Sequence, residues 1–348
     1  MLTGRKILVY GVGAVVGAYF LFLGLIEAKV FLAPLVTAIL LALLLLPLSQ
    51  FMERKGLSCG LTSLLNTLLL LLITFGFLTL LSFQIKNFAD DWPQIKESLQ
   101  PTIEQVTHTI TANTPLDKES MAINDGLFKD SKTVADKAGT IIGAVMGYMG
   151  NFLLTFIYVF FLLHYRERFK KCMLHFFPKE RRKNVHDIVV KSAQVVPKYL
   201  LGRLMLIGFL SVLYAVGLGI SGVDNFILIS VLAAVFSLVP YIGNIVGVAM
   251  AIILGYIGTG DTVILIGIIV TFSVAQFIES YILEPYVVGN KVDVHPFIVI
   301  LAVVVGNLVW GLIGMVLAIP IVAILAVLML HIPLLKPLGV LFSNEDFE

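Results

Sequence analysis

The sequence predicts an all-α fold, a polytopic helical membrane protein of about eight transmembrane segments with broken or re-entrant helices in its C-terminal half. Three observations carry this. Of 348 residues, 59% are hydrophobic and 13% charged, and the mean hydropathy is +0.99, a balance foreign to soluble domains. Several apolar runs exceed the ~20 residues that a helix needs to cross a bilayer. None alternates apolar and polar residues in the ~10-residue stretches of a transmembrane barrel.

Residues 1–86 hold three runs, 7–26, 30–51 and 61–85. Arg5 and Lys6 precede the first, and Pro34 and Pro47 lie near the ends of the second. The first run lacks a small-residue cleavage site, so no cleavable signal peptide is expected. Glu53, Arg54, Lys55 and Gly56 make a short basic turn before the third.

Residues 87–138 form a polar insert in which Trp92, Ile95, Leu99, Ile103, Val106 and Ile110 recur at helical spacing, with a kink expected at Pro101. Nine acids against five bases leave it at −4. His108 has no second histidine at ligand spacing and reads as a surface residue.

Segment 139–165 is a fourth span, and Gly139, Gly143 and Gly147 repeat at the four-residue spacing that lets helix backbones approach. The arm at 166–203 carries eleven bases against three acids, +8. The positive-inside rule therefore puts the arm in the cytoplasm with both termini, and the acidic insert outside. Cys59 and Cys172 then both fall in the cytoplasm, so no structural disulfide is expected. Within the arm, Ile188, Val189, Ser192, Val195, Val196, Tyr199 and Leu200 share one helical face. That face has two readings, contact with anionic lipid or packing on a neighbouring subunit. Topogenesis accounts for the lysines, so no nucleic acid is expected.

Residues 204–333 contain runs 204–220, 226–257, 263–283 and 297–331, followed by a cytoplasmic tail at 334–348. The second and fourth are longer than one span needs. One breaks at Pro240-Tyr241-Ile242-Gly243 and the other at Gly311-Leu312-Ile313-Gly314. A shift of 71 positions superposes Phe226 on Phe297 and Gly243 on Gly314; only five of 27 positions are identical, so the weight lies in the coincidence of the breaks. Paired interruptions expose helix dipoles and unpaired carbonyls, and in transporters they point to the binding site. Two merely kinked helices are the plainer alternative, and the sequence leaves open whether each run spans or re-enters.

The run 263–283 carries the charge. An ionised carboxylate inside a bilayer costs at least ~2.5–3.5 kcal/mol, so it faces a cavity or a partner. At about 100° per residue, Ser273, Gln276, Ser280 and Glu284 lie within about 80° of one another, with Glu279 about 60° beyond Gln276. Glu279 is the candidate for binding a coupling cation, since no Lys or Arg lies inside the four C-terminal runs. The alternative is a helix or subunit contact that satisfies it. Glu284 precedes Pro285 near the outer boundary, where a cap or a lipid-interface role competes with solute contact. Asn244 and Asn307, beside the two breaks, are uncharged hydrogen-bonding groups that could face the same cavity.

No phosphate-binding loop, nucleophile elbow, dinucleotide fingerprint or metal-ligand cluster occurs, so no enzyme activity, cofactor or metal is expected.

Glu284-Pro285, Gly289, His295-Pro296, Gly306, Gly311, Gly314 and Pro320 resemble the C-terminal signature of the AI-2E (autoinducer-2 exporter) family of bacterial membrane proteins. Val239 to Gly243, Phe177-Pro178 and Tyr199 with Gly202 are similar to further signatures of that family. Asn244 stands where Pro is common and Arg203 where Gln is common. The resemblance implies a transporter in the bacterial cytoplasmic (inner) membrane that exports a small polar solute, with the quorum-sensing signal autoinducer-2 as the namesake. It also implies coupling to a proton or sodium gradient, or sodium/proton antiport, and a homo-oligomer, plausibly a pentamer. A non-transporting scaffold or a channel remains the reading from other classes.

Overall fold

The computed structural model describes residues 4–80, 82–83, 86, 90, 139–140, 143, 152–238, 242–256, 261–288, 294–333 and 335–343. The insert helix expected from Trp92 to Ile110 lies outside them, as do Gly147 and Pro240. Among the described residues every regular element is helical. In chain order these are α1 (Gly4–Glu27), α2 (Lys29–Arg54), α3 (Cys59–Leu80), α4 (Phe152–His164), α5 (Arg166–His175), α6 (Arg182–Ile220), α7 (Phe226–Phe236), α8 (Ile242–Ala251), α9 (Thr262–Ile278), α10 (Pro296–Trp310), α11 (Leu312–His331) and α12 (Lys336–Phe342). Wider π-helical turns follow α8 at Ile252–Tyr256 and α9 at Glu279–Val288. Among the described residues five stretches are long and apolar enough to cross a bilayer: α2, α3, Lys179–Ile220, Thr262–Leu283 and α11. This is a multi-pass, all-α membrane protein.

The arm and the fifth apolar run are one helix. α6 continues through Pro197 without a break, so Arg203 sits inside it and is buried.

The chain divides into two compact units. The first comprises Met1–Leu69, Asn151–Leu201 and Asn290–Glu348. Its core joins Ala33 and Leu40 of α2, Val196 of α6, Trp310 of α10 and Leu317 of α11. Trp310 Nε1 donates to the Leu25 carbonyl at 3.0 Å, which gives the buried indole the polar partner it needs. A satellite cluster places Val195 against Val294, Ile298, Ala323 and Phe342. The face expected from the arm's periodicity is thus buried, with Ser192, Val196 and Tyr199 inside and Asn184, Asp187, Lys191, Gln194 and Lys198 outside. It packs on this chain's own helices, and neither lipid nor a neighbouring subunit is needed to cover it.

Small polar side chains join α2 to α3 in the same unit. Thr62, Ser63 and Asn66 share the buried face of α3, and Asn66 Nδ2 donates to Ser49 Oγ at 2.8 Å. Between apolar helices in lipid no water is released on association, so such hydrogen bonds and close backbone approach hold the bundle. The turn read as basic has a different use: Glu53 forms an ion pair with Arg166, the first residue of α5.

The second unit comprises Leu70–Gly150 and Gly202–Gly289. Its core collects Leu210, Tyr214 and Leu218 of α6, Ile229, Ala233 and Ala234 of α7, Ala251 of α8, and Ile264, Ile268, Phe272 and Ala275 of α9. α6 and α9 meet through their smallest residues. A Cβ added at Gly217 would stand 2.4 Å from Thr271 Cγ2, and one at Gly267 would stand 2.3 Å from Ser221 Oγ. Four residues forward from Gly217, to Ser221 just past the end of α6, correspond to four back on α9, so the two run antiparallel.

Both long C-terminal runs are helical hairpins. The 11 residues of α7 rise about 16 Å, well short of a ~30 Å hydrocarbon core. α8 folds back on α7: a Cβ at Gly243 would meet the backbone nitrogen of Ser237 at 2.3 Å, and one at Gly247 the Ala233 Cβ at 2.6 Å. In the first unit, α10 turns into α11 at Gly311, whose φ of 66° and ψ of −142° belong to glycine. Gly306 and Gly314 then cross with their backbones in contact. Gly243 and Gly314, equivalent under the 71-residue shift, do the same work, each letting a returning arm touch the one before it.

Candidate functional site

Three polar side chains of the second unit meet at the end of α9. Asp261 caps its start, accepting the Val263 N–H at 2.8 Å. Ile264, Ile268, Thr271, Phe272 and Ala275 then recur at three- and four-residue spacing and bury one face. Gln276 follows at the edge of that face, half-buried. Asn244 reaches it from the first turn of α8. Its Nδ2 donates to Gln276 Oε1, and Gln276 Nε2 donates onward to Ser280 Oγ at 3.0 Å. Asn244 Oδ1 is buried and accepts nothing from the protein. The two amides that the sequence singled out separately are therefore one hydrogen-bonded chain.

Glu279, half-buried, opens the π-helical segment directly after α9. Tyr214, a fully buried residue of α6, packs its ring 4.7 Å from that of Phe272 on the buried face of α9. Tyr214 did not stand out in the sequence, where a tyrosine in an apolar run reads as packing. A π-helical turn widens the backbone and leaves the i→i+4 ladder, a distortion that recurs at functional sites. Here it begins at the one carboxylate the sequence singled out for ion binding.

The same distortion limits the expected stripe. A register of 100° per residue holds for an α-helix, and the α-helix ends at Ile278. Gln276 and Ser280 do meet, and Ser273 is exposed. Glu284 lies within the π-helical segment, so the α-helical angle no longer places it on that stripe; its side chain is outside the described residues.

Asn307, Gly311 and Gly314 belong to the other unit and build its hairpin. Asn307 is exposed, and its carbonyl accepts the Gly311 N–H at 2.8 Å. Gly139 and Gly143 are helical, with nothing within 4 Å of an added Cβ. Among the described residues no group of three or more His, Cys, Asp or Glu could hold a metal ion.

What the amides and hydroxyl of Asn244, Gln276 and Ser280 offer is both donors and acceptors, beside the carboxylate of Glu279. Such a set suits an uncharged polar solute and a small cation.

The family model described as "AI-2E family transporter" matches residues 12–334. The Bacillus subtilis protein named "Putative transport protein YrrI" is 26% identical over 318 residues, covering 87% of each chain. A second from that organism, "Putative transport protein YueF", is 23% identical over 86% of this chain and 83% of its own. A Mycobacterium tuberculosis relative, "Putative transport protein MT0215", is 22% identical over 85% of this chain and 81% of its own.

Proposed function

Because the chain belongs to the AI-2E transporter family, we propose that it moves a small polar solute across the bacterial cytoplasmic membrane, using the polar chain at the end of α9 as its binding surface. The observation that carries the reading is the hydrogen-bonded run Asn244–Gln276–Ser280 set beside Glu279 at the end of an apolar helix. Side chains of this kind are costly in a bilayer and are retained where they bind something or hold helices together. Export of autoinducer-2 fits groups that donate and accept in equal measure. Glu279 is the residue that binds and releases a proton or a sodium ion to couple the movement. The working form is a homo-oligomer, for which a pentamer is the proposal, with both termini in the cytoplasm.

The test is flux of autoinducer-2 through the purified protein in liposomes, with and without pH and sodium gradients. Glu279→Gln keeps the shape and removes the charge, so gradient-driven flux is expected to fall to background while the oligomer elutes unchanged. Normal transport by that variant would make Glu279 structural and end the coupling reading. Sodium/proton exchange without solute movement would replace export by antiport. A wild-type protein that moves neither would defeat the transport reading altogether.

A further inference from the structure

α5 begins two residues after α4 ends and has three faces. Phe169, Met173 and the capping residue Phe176 fall within about 60° of one another. All three are exposed, Phe176 at 83%. Arg168 and Lys170 lie about 90–110° to either side of that arc, and Lys171 lies behind it. The start of the helix is pinned by the ion pair from Arg166 to Glu53 of α2, and Leu174 is half-buried on the inner side.

Topogenesis explains the charge of this segment, eight Lys and Arg between 166 and 183 against Glu167 and Glu180. It does not explain an uncovered aromatic face on the same helix. Phe161 and Tyr165, both exposed, precede Phe169 at four-residue steps, with the first two rings stacked at 6.1 Å. An apolar arc flanked by basic residues that reach past it is the pattern of a helix lying in the plane of the bilayer surface.

We propose that α5 is an in-plane lipid anchor. Phe169, Met173 and Phe176 enter the acyl boundary of the cytoplasmic leaflet, and Arg168 and Lys170, on either side of that arc, hold the phosphates of anionic phospholipids. Four to eight basic residues directly cytoplasmic of a membrane helix attract such lipids, and the exposed aromatics fix the depth at which they do so. Through Glu53 and Arg166, the anchor is tied to the α2–α3 turn.

Phe176→Trp supplies a probe at the exposed tip, with the emission of the native Trp92 and Trp310 measured in the parent as background. The full-length variant is reconstituted in phosphatidylcholine, or in phosphatidylcholine with phosphatidylglycerol, with one lipid at a time brominated near the headgroup. The added emission is expected to be quenched about threefold more by brominated phosphatidylglycerol than by brominated phosphatidylcholine. The double change Arg168→Gln and Lys170→Gln should bring that ratio to about one without altering elution. Equal quenching by the two lipids in the parent would remove the anionic selection. An unquenched probe open to aqueous iodide would place the helix in water. A probe shielded from both iodide and lipid would mean that a second copy or another protein covers the face. Any of these three overturns the proposal.

Discussion

Gly314 touches Gly306 backbone to backbone: a Cβ added at 314 would stand 2.0 Å from the Gly306 carbonyl oxygen. No side chain fits at that crossing, and the obstacle is a main-chain atom that cannot swing aside. The hairpin α10–α11 closes only because both positions are glycine.

Gly314→Ala is therefore expected to destabilise the protein by about 1–3 kcal/mol or more, the scale of overpacking a closed contact. Gly208→Ala, where an added Cβ meets nothing within 4 Å, should be neutral. Thermal unfolding of both variants in the same detergent reads the difference, and equal melting temperatures would refute the crossing.

The Asn244–Gln276 pair lends itself to a double-mutant cycle with Asn244→Leu and Gln276→Leu. Side chains that share a hydrogen bond between membrane helices couple by about 0.5–2 kcal/mol. Additive losses of stability would mean that the two amides do not meet.

Loop charge predicts an orientation, with −4 on residues 87–138 and +8 on 166–203. Cysteines introduced at Lys118 and Lys183 are expected to react with a membrane-impermeant reagent from opposite sides, 118 from outside and 183 from the cytoplasm. Labelling from one side only would overturn the orientation.

The helices and the two interruptions were legible because glycine, proline and apolar run length act locally. The buried face of the arm was legible for the same reason, since Ser192, Val196 and Tyr199 follow helical spacing. The partner of that face was not, because periodicity says which side is covered and nothing about by what. Asn244 and Gln276 each stood out as polar residues near or within apolar runs, but their hydrogen bond spans 32 positions and has no local signature. Asn66 and Ser49 carry the same kind of signal, an amide and a hydroxyl in apolar runs, and went unread. Glu53 and Arg166, 113 positions apart, were absorbed into the topogenic charge count. The stripe drawn through Glu284 assumed a constant helical angle, which the π-helical turn at Glu279 removes.

The two hairpins bear on parity. A hairpin returns the chain to the membrane face it left, whereas a span delivers it to the other, so each exchange of span for hairpin reverses every crossing downstream. Two exchanges cancel. The C-terminal helix α12 would thus keep the side that a count of eight full spans assigns to it, while the stretch between the hairpins would be inverted. On that count α9 is expected to cross in the opposite sense, which would put Glu279 toward the cytoplasmic end of its span. A cysteine at Lys291 separates the two cases: it labels from the same side as one at Lys183 when the chain has doubled back at Gly243, and from the opposite side when it has not.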